Sequence, residues 1–164
     1  MARSAPVLHL NDFLPYRLNV VTQEVSQGLA RLYADEFGIS VPEWRVMAAL
    51  GELGQGREMT ARDIAQHSRM GKVMTSRAVA GLTARKFIAR RMNREDKRES
   101  FLRLSERGHE IYAQIVPRAL AYQARLVKGI SKADSEALDR IIAHLLEKAE
   151  DCETLQRHSE LLYA

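Results

Sequence analysis

Cysteine is all but missing from this chain: Cys152 is the only one in 164 residues, so no intrachain disulfide can form, which agrees with a reducing compartment. Two readings of Cys152 stand side by side, a redox-sensing thiol and a small apolar residue buried on a helix. Aromatic residues make up only 6% of the chain, as expected of a helical protein rich in Leu, Ala, Arg and Glu. No apolar run approaches the ~18–20 residues that a membrane helix requires. Met1 to Asn11 has no apolar stretch of signal-peptide length, so a cytoplasmic location and no membrane partner are expected. There is no Gly-rich phosphate loop, no cysteine pair and no nucleophile motif, so the sequence supports neither an enzyme nor a bound cofactor. The histidines His9, His67, His109, His144 and His158 are scattered. Only His144, Glu147 and Asp151 share a helical face, where surface pairing accounts for them as well as a metal would.

What the chain does have is an uneven charge distribution. Between Arg62 and Arg107 lie 13 basic and 5 acidic residues, a net +8, which leaves 12 basic and 16 acidic residues elsewhere, a net −4. A basic block in an acidic remainder points to a polyanionic partner. The length suits one domain, or one domain with appended dimerisation helices.

Periodicity orders the chain. Leu14, Leu18, Val21, Val25, Leu29 and Leu32 recur at steps of three and four, which predicts one long amphipathic helix from about Asp12 to Phe37, closed by Gly38. Ser40 with Glu43 three residues on forms a capping pair for a second helix, with Trp44, Met47, Leu50 and Leu53 inward and Gly54-Gln55-Gly56 ending it. Glu58-Met59 is a short bridge. Thr60 with Asp63 opens a third helix that buries Ile64 and Ala65. Ser68 to Gly71 form a turn. A fourth helix runs from Lys72 to about Lys86, with Val73, Ala80, Leu82 and Thr83 as its less exposed positions. A strand from Phe87-Ile88 to about Asn93, a loop from Arg94 to Ser100 and a strand from Phe101 to Leu104 make a hairpin. Six of the seven loop residues are charged, so the tip is not core. Ser105 caps a fifth helix, in which Pro117 predicts a kink or break, and Ser131 with Asp134 opens a sixth. Its face Leu138, Ile141, Ile142, Leu145, Leu146, Ala149 and Cys152 is broadly apolar. A lone chain would leave that face, together with Leu14 and Leu18, open to water; a two-fold dimer with interlocked terminal helices covers it.

Two helices joined by a tight turn and followed by a basic hairpin make a helix-turn-helix with a wing, a pattern that engages duplex DNA. The second helix of the pair would enter the major groove with Lys72, Thr75, Ser76 and Arg77 towards the bases. Thr60 would offer its hydroxyl and nearby amides to a phosphate. At the hairpin tip, Arg94, Lys97 and Arg98 supply positive charge for the minor groove, and Asp96 would orient Arg98 through a carboxylate–guanidinium pair. A solvated basic surface is the plainer explanation of the same charges.

In this order and spacing the chain resembles the MarR family of winged helix-turn-helix regulators, over nearly its whole length from about Leu10 to Leu155. The matching segments are Pro42-Glu43-Trp44-Arg45-Val46, Lys72-Val73-Met74-Thr75-Ser76-Arg77, Asp96-Lys97-Arg98 and Leu102-Arg103-Leu104-Ser105-Glu106-Arg107-Gly108. The resemblance implies a mainly α fold with a small β-hairpin wing. It places a DNA-binding module at 40–108 between dimerisation helices at 10–37 and 109–160. It also implies an obligate homodimer, usually a transcriptional repressor, that binds double-stranded DNA at a pseudo-palindromic operator and is released by a small, often phenolic or anionic effector. Arg98 matches the wing arginine of the family and Asp96 its partner.

The family pocket lies between the dimerisation helices and the DNA module, where Tyr16, Arg17, Trp44, Arg45 and Tyr122 are the matching positions. Arg17 or Arg45 would clamp a carboxylate and Tyr16 or Trp44 would stack on a ring. Core packing for Trp44 and a structural ion pair for Arg45 are the competing readings. The opening Phe13-Leu14-Pro15-Tyr16-Arg17-Leu18 is similar to that of regulators of aromatic-acid breakdown, some of which sense an acyl-CoA thioester. Cys152 is far from the N-terminal position of the family's peroxide-sensing cysteine, so that mechanism does not carry over. The rival outside this class of regulator is an architectural DNA-binding protein with little sequence preference and no effector.

Overall fold

The structure, a computed structural model, describes residues 6–53, 57–92 and 99–162. Its helices are α1 (Leu14–Ala30), α2 (Ala34–Phe37), α3 (Val41–Glu52), α4 (Ala61–His67), α5 (Lys72–Ala84), α6 (Glu106–Leu126) and α7 (Lys132–Leu162), and its strands β1 (Met59–Thr60), β2 (Ile88–Met92) and β3 (Ser100–Leu104). The mainly α fold with a small β element is therefore as expected. The chain forms two compact units, Met1–Tyr122 and Gln123–Ala164.

The first predicted helix is two helices. A 3-10 turn at Leu10–Asp12 precedes α1, and α1 ends at Ala30. Leu32 and Tyr33 then donate to the carbonyls of Leu29 and Ala30, three residues back, which tightens the chain before α2. Tyr33 leaves helical geometry (φ −136°) and is wholly buried, stacked on Trp44 at 5.5 Å between ring centroids. Burial of that ring outweighs the local periodicity that would have carried one helix through. Burial pushes the Tyr33 hydroxyl up to about 12, against the lowering influence of Arg45.

The capping pairs read from the sequence are present. Glu43 accepts from both the amide and the hydroxyl of Ser40, each at 2.8 Å, and Asp63 accepts from the amide (3.0 Å) and hydroxyl (2.8 Å) of Thr60. Ser131 likewise caps α7 by accepting from Asp134 N at 3.1 Å. Pro117 does not break α6, which continues through it; a proline removes one backbone donor, and the turns on either side hold the helix.

The core of the first unit is built from α3, α4, α5, the sheet and the first half of α6. Ile39, Val46, Met47, Leu50, Ile64, Leu82, Leu102, Leu104 and Ile115 are its best-buried aliphatic side chains. The bridge at Met59 is a third strand, so the sheet order is β1-β3-β2, all antiparallel, with Met59 opposite Leu102 and Ile88 opposite Leu104. Along β3 the buried Leu102 and Leu104 alternate with the exposed Arg103, as a half-buried sheet requires.

The apolar rows on the terminal helices are bare in the single chain. Leu14 and Leu18 on α1, and Leu138, Ile141, Ile142 and Leu146 on α7, are between 44% and 56% exposed, and Leu145 is half-buried. Cys152 is exposed, not buried as one of its two readings required.

Candidate nucleic-acid interface

The turn between α4 and α5 is fixed by backbone chemistry. Arg69 adopts a left-handed conformation (φ +49°), its amide donates to Gln66 O, and Met70 N donates to Ala65 O at 3.0 Å. Both bonds cap the last carbonyls of α4, and Met70 is then buried behind the turn. The same device ends α5: Lys86 is left-handed (φ +59°), and Phe87 N reaches Leu82 O at 2.9 Å. These two closures set the direction in which α5 enters and leaves the module.

Helix α5 has a clear inner and outer face. Thr75, Ala78 and Leu82 are buried, whereas Lys72, Val73, Ser76, Arg77 and Ala80 are exposed. Three expectations are corrected here. Thr75 does not face DNA: it is 1% exposed, and its hydroxyl donates to Gly71 O at 3.2 Å within its own helix. Val73 and Ala80 are outer, not inner, positions. The inner row is rotated because Thr75, with its hydroxyl satisfied locally, can serve as an apolar residue. Lys72, Ser76 and Arg77 lie where the sequence placed them, on the exposed surface.

Thr60 is also more committed than expected. Its amide and hydroxyl both donate to Asp63, and its hydroxyl oxygen accepts from Asp63 N at 3.1 Å. The donors at this helix start that remain for a phosphate belong to the residues after Thr60.

A groove of about 980 Å³ runs along this surface, lined by Thr60, Arg62, Lys72, Ser76, Arg90 and Ser100 among others. Arg90 on β2 donates from Nε to Ser100 Oγ on β3 at 2.8 Å, which holds it at the base of the hairpin. Arg62 and Arg90 belong to the basic block, but their position in the groove depends on how α4 packs beside the sheet. Periodicity alone does not carry that information. Arg94, Asp96, Lys97 and Arg98, the predicted hairpin tip, lie outside the described residues.

The cations divide into two sets. Arg85 is bonded to Glu43, Arg91 to Glu58 and Arg118 to Glu36. The Arg91 guanidinium crosses the ring of Phe101, 4.6 Å from its centroid, to reach Glu58 beside β1, so one side chain braces all three strands. Its hydrogen bond and charge hold the Glu58 carboxyl below the usual carboxylate range. By contrast, Arg62, Lys72 and Arg77 have no carboxylate partner among the described residues. Part of the positive charge left for an external anion is therefore on the exposed faces of α4 and α5.

The expected effector residues are less uniform. Trp44 is 8% exposed and stacks with both Tyr33 and Tyr112, so its ring is packed in the core. Arg45 is exposed and forms no ion pair among the described residues. Tyr16 and Arg17 are exposed on α1. Tyr122 is half-buried, donates to Val25 O at 3.2 Å, and lies so close to Gly28 that a Cβ there would come within 2.4 Å of its hydroxyl. Among the described residues no His, Cys, Asp and Glu cluster could hold a metal. No helix among them is long and apolar enough to cross a membrane.

Comparison with known proteins follows this geometry. The model of the MarR family matches residues 37–99, from the last residue of α2 to the residue before β3. A MarR family transcriptional regulator from Silicibacter pomeroyi is 27% identical, with a TM-score of 0.70, covering 87% of this chain and 93% of its own. The MarR family regulator Sco3205 of Streptomyces coelicolor, solved in complex with DNA, is 19% identical with a TM-score of 0.75, covering 89% of this chain and 92% of its own. BpsR of Bordetella bronchiseptica, whose DNA binding is regulated by 6-hydroxynicotinic acid, is 20% identical with a TM-score of 0.72, covering 89% of this chain and 99% of its own.

Proposed function

We propose that this chain is a MarR-type transcriptional regulator and not an enzyme, a homodimeric repressor that a small ligand releases from a pseudo-palindromic operator. The observation that carries the DNA reading is the distribution of partners among its cations. Among the described residues Arg62, Lys72 and Arg77 face outward without a carboxylate partner, while Arg85, Arg91 and Arg118 are each paired with a glutamate. Lys72, Ser76 and Arg77 would address the major groove, and Arg62 with the amides that follow Thr60 the adjoining backbone. Arg94, Lys97 and Arg98 would address the minor groove, with Asp96 holding Arg98.

Two copies would meet through the bare rows of α1 and α7, namely Leu14, Leu18, Leu138, Ile141, Ile142, Leu145 and Leu146. That assigns residues 10–37 and 109–160 to dimerisation and 40–108 to DNA. The effector would be an aromatic acid or an acyl-CoA-like thioester, with Arg17 or Arg45 for its anionic group and Tyr16 and Tyr122 beside the ring. The dependence of BpsR on 6-hydroxynicotinic acid supports this ligand class by analogy.

Competition in a mobility-shift experiment tests the reading. Binding to the fragment upstream of the protein's own gene should survive excess unrelated duplex and be lost on adding the right hydroxycinnamate, benzoate or CoA ester. Equal competition by unrelated duplex, with a steep salt dependence at every site, would instead identify an architectural DNA-binding protein.

A further inference from the structure

We propose that the recognition helix reads thymine methyl groups through Val73 and Ala80, on either side of a base contact from Arg77. The inference rests on the DNA-binding function proposed above and adds what its operator must contain. The outer arc of α5 lies opposite the buried Thr75, Ala78 and Leu82, and at 100° per residue its centre falls on Val73 and Ala80, with Ser76 and Arg77 about 50° to either side. This arc alone can press squarely into a groove.

Its chemistry is half apolar. Val73 is 65% exposed although it is aliphatic, and it stands between Lys72, which has no carboxylate partner among the described residues, and the polar Ser76 and Arg77. Ala80 is exposed one turn beyond Arg77. Neither side chain has a donor or an acceptor. On a major-groove floor the one feature such side chains can select is the C5-methyl of thymine, since every other base edge presents hydrogen-bonding groups. Arg77, between them, can pair bidentately with a guanine. The occupant is DNA and not an apolar partner, because the aliphatic positions are interleaved with positive charge that no carboxylate among the described residues neutralises. Seven residues of helix rise span about 10 Å, or roughly three base pairs. Val73, Arg77 and Ala80 therefore fit one short half-site with thymines flanking the position that Arg77 reads.

The test selects duplexes from a random pool with the full-length protein and then replaces each thymine of the selected site by deoxyuridine, which removes only the methyl. Expected is a loss of about fourfold in affinity for each methyl that an aliphatic side chain covers. Val73→Ser should abolish the response at one position and Ala80→Ser at a second about three base pairs away. Both residues are exposed, so the variants fold, and thermal melting checks that they do. A selected motif whose deoxyuridine series is flat, or whose response is the same in the variants as in the unaltered protein, overturns this inference and leaves the regulator reading standing. Failure to select any motif overturns both.

Discussion

Arg85 at the end of α5 is bonded to Glu43 in the first turn of α3, and its other terminal nitrogen donates to Gly38 O at 2.7 Å. One side chain thus ties the exit of α5 to the start of the helix behind it. Gly81 makes this possible, because a Cβ there would lie 2.5 Å from Glu43 Oε1. Arg85→Ala should cost roughly 2 kcal/mol in chemical denaturation, the usual scale for losing charge-assisted hydrogen bonds. The loss stays below that of a fully buried pair because the arginine is 32% exposed. DNA affinity should fall further than stability does, since α5 loses its anchor.

The same pair gives a pH dependence. Burial alone would raise the Glu43 pKa, but the amide and hydroxyl of Ser40 and the hydrogen bond and charge of Arg85 outweigh it and hold the carboxyl below the usual range. A carboxylate depressed in the folded state stabilises the fold above its unfolded pKa, and that contribution is lost as pH falls through the folded value. The melting temperature should therefore drop as the solution is acidified below the ordinary carboxylate range. Glu43→Gln should be less stable at neutral pH and should lose less on acidification.

Gly108 sets the junction between the sheet and α6. A Cβ there would stand 1.9 Å from Phe87 O and 3.4 Å from Leu104 Cδ2. A backbone carbonyl cannot swing aside, so Gly108→Ala should destabilise the protein by about 3 kcal/mol or more. A melt within a degree or two of the unaltered protein would contradict this packing.

Much of this was legible in the sequence, and the misses have physical causes. Ser40 with Glu43, Thr60 with Asp63, and Ser131 with Asp134 announced three helix starts, because a capping pair is local chemistry. Lys72, Ser76 and Arg77 were legible as outward-facing for the same reason. Thr75 was misjudged because its hydroxyl is satisfied within the helix, which leaves its methyl free to pack. The inward position of Trp44 was legible from its helical spacing, but the break at Tyr33 was not, since it depends on a ring stack with a residue 11 positions away. The groove positions of Arg62 and Arg90 likewise follow from tertiary packing.

The two kinds of basic contact should separate in a salt titration. Lys72→Ala should weaken binding to all duplexes alike and reduce the slope of log affinity against log salt by about 1. Arg77→Ala should cost about 1–3 kcal/mol and relax the base preference at one position of each half-site. Arg98→Ala should weaken DNA binding while sizing still reports a dimer.

Leu145→Asp should convert the dimer to a monomer in analytical ultracentrifugation. It should also remove the pairing of half-sites, since each copy then binds alone. A dimer of unchanged affinity would show that the bare row of α7 is not the interface.

Footprinting of the full-length protein on the region upstream of its own gene tests the central claim most directly. A dimeric regulator that reads bases through α5 should protect a single discrete dyad with half-sites about one helical turn apart. Diffuse protection that tracks protein concentration along the whole fragment, with no dyad at any salt, would contradict it.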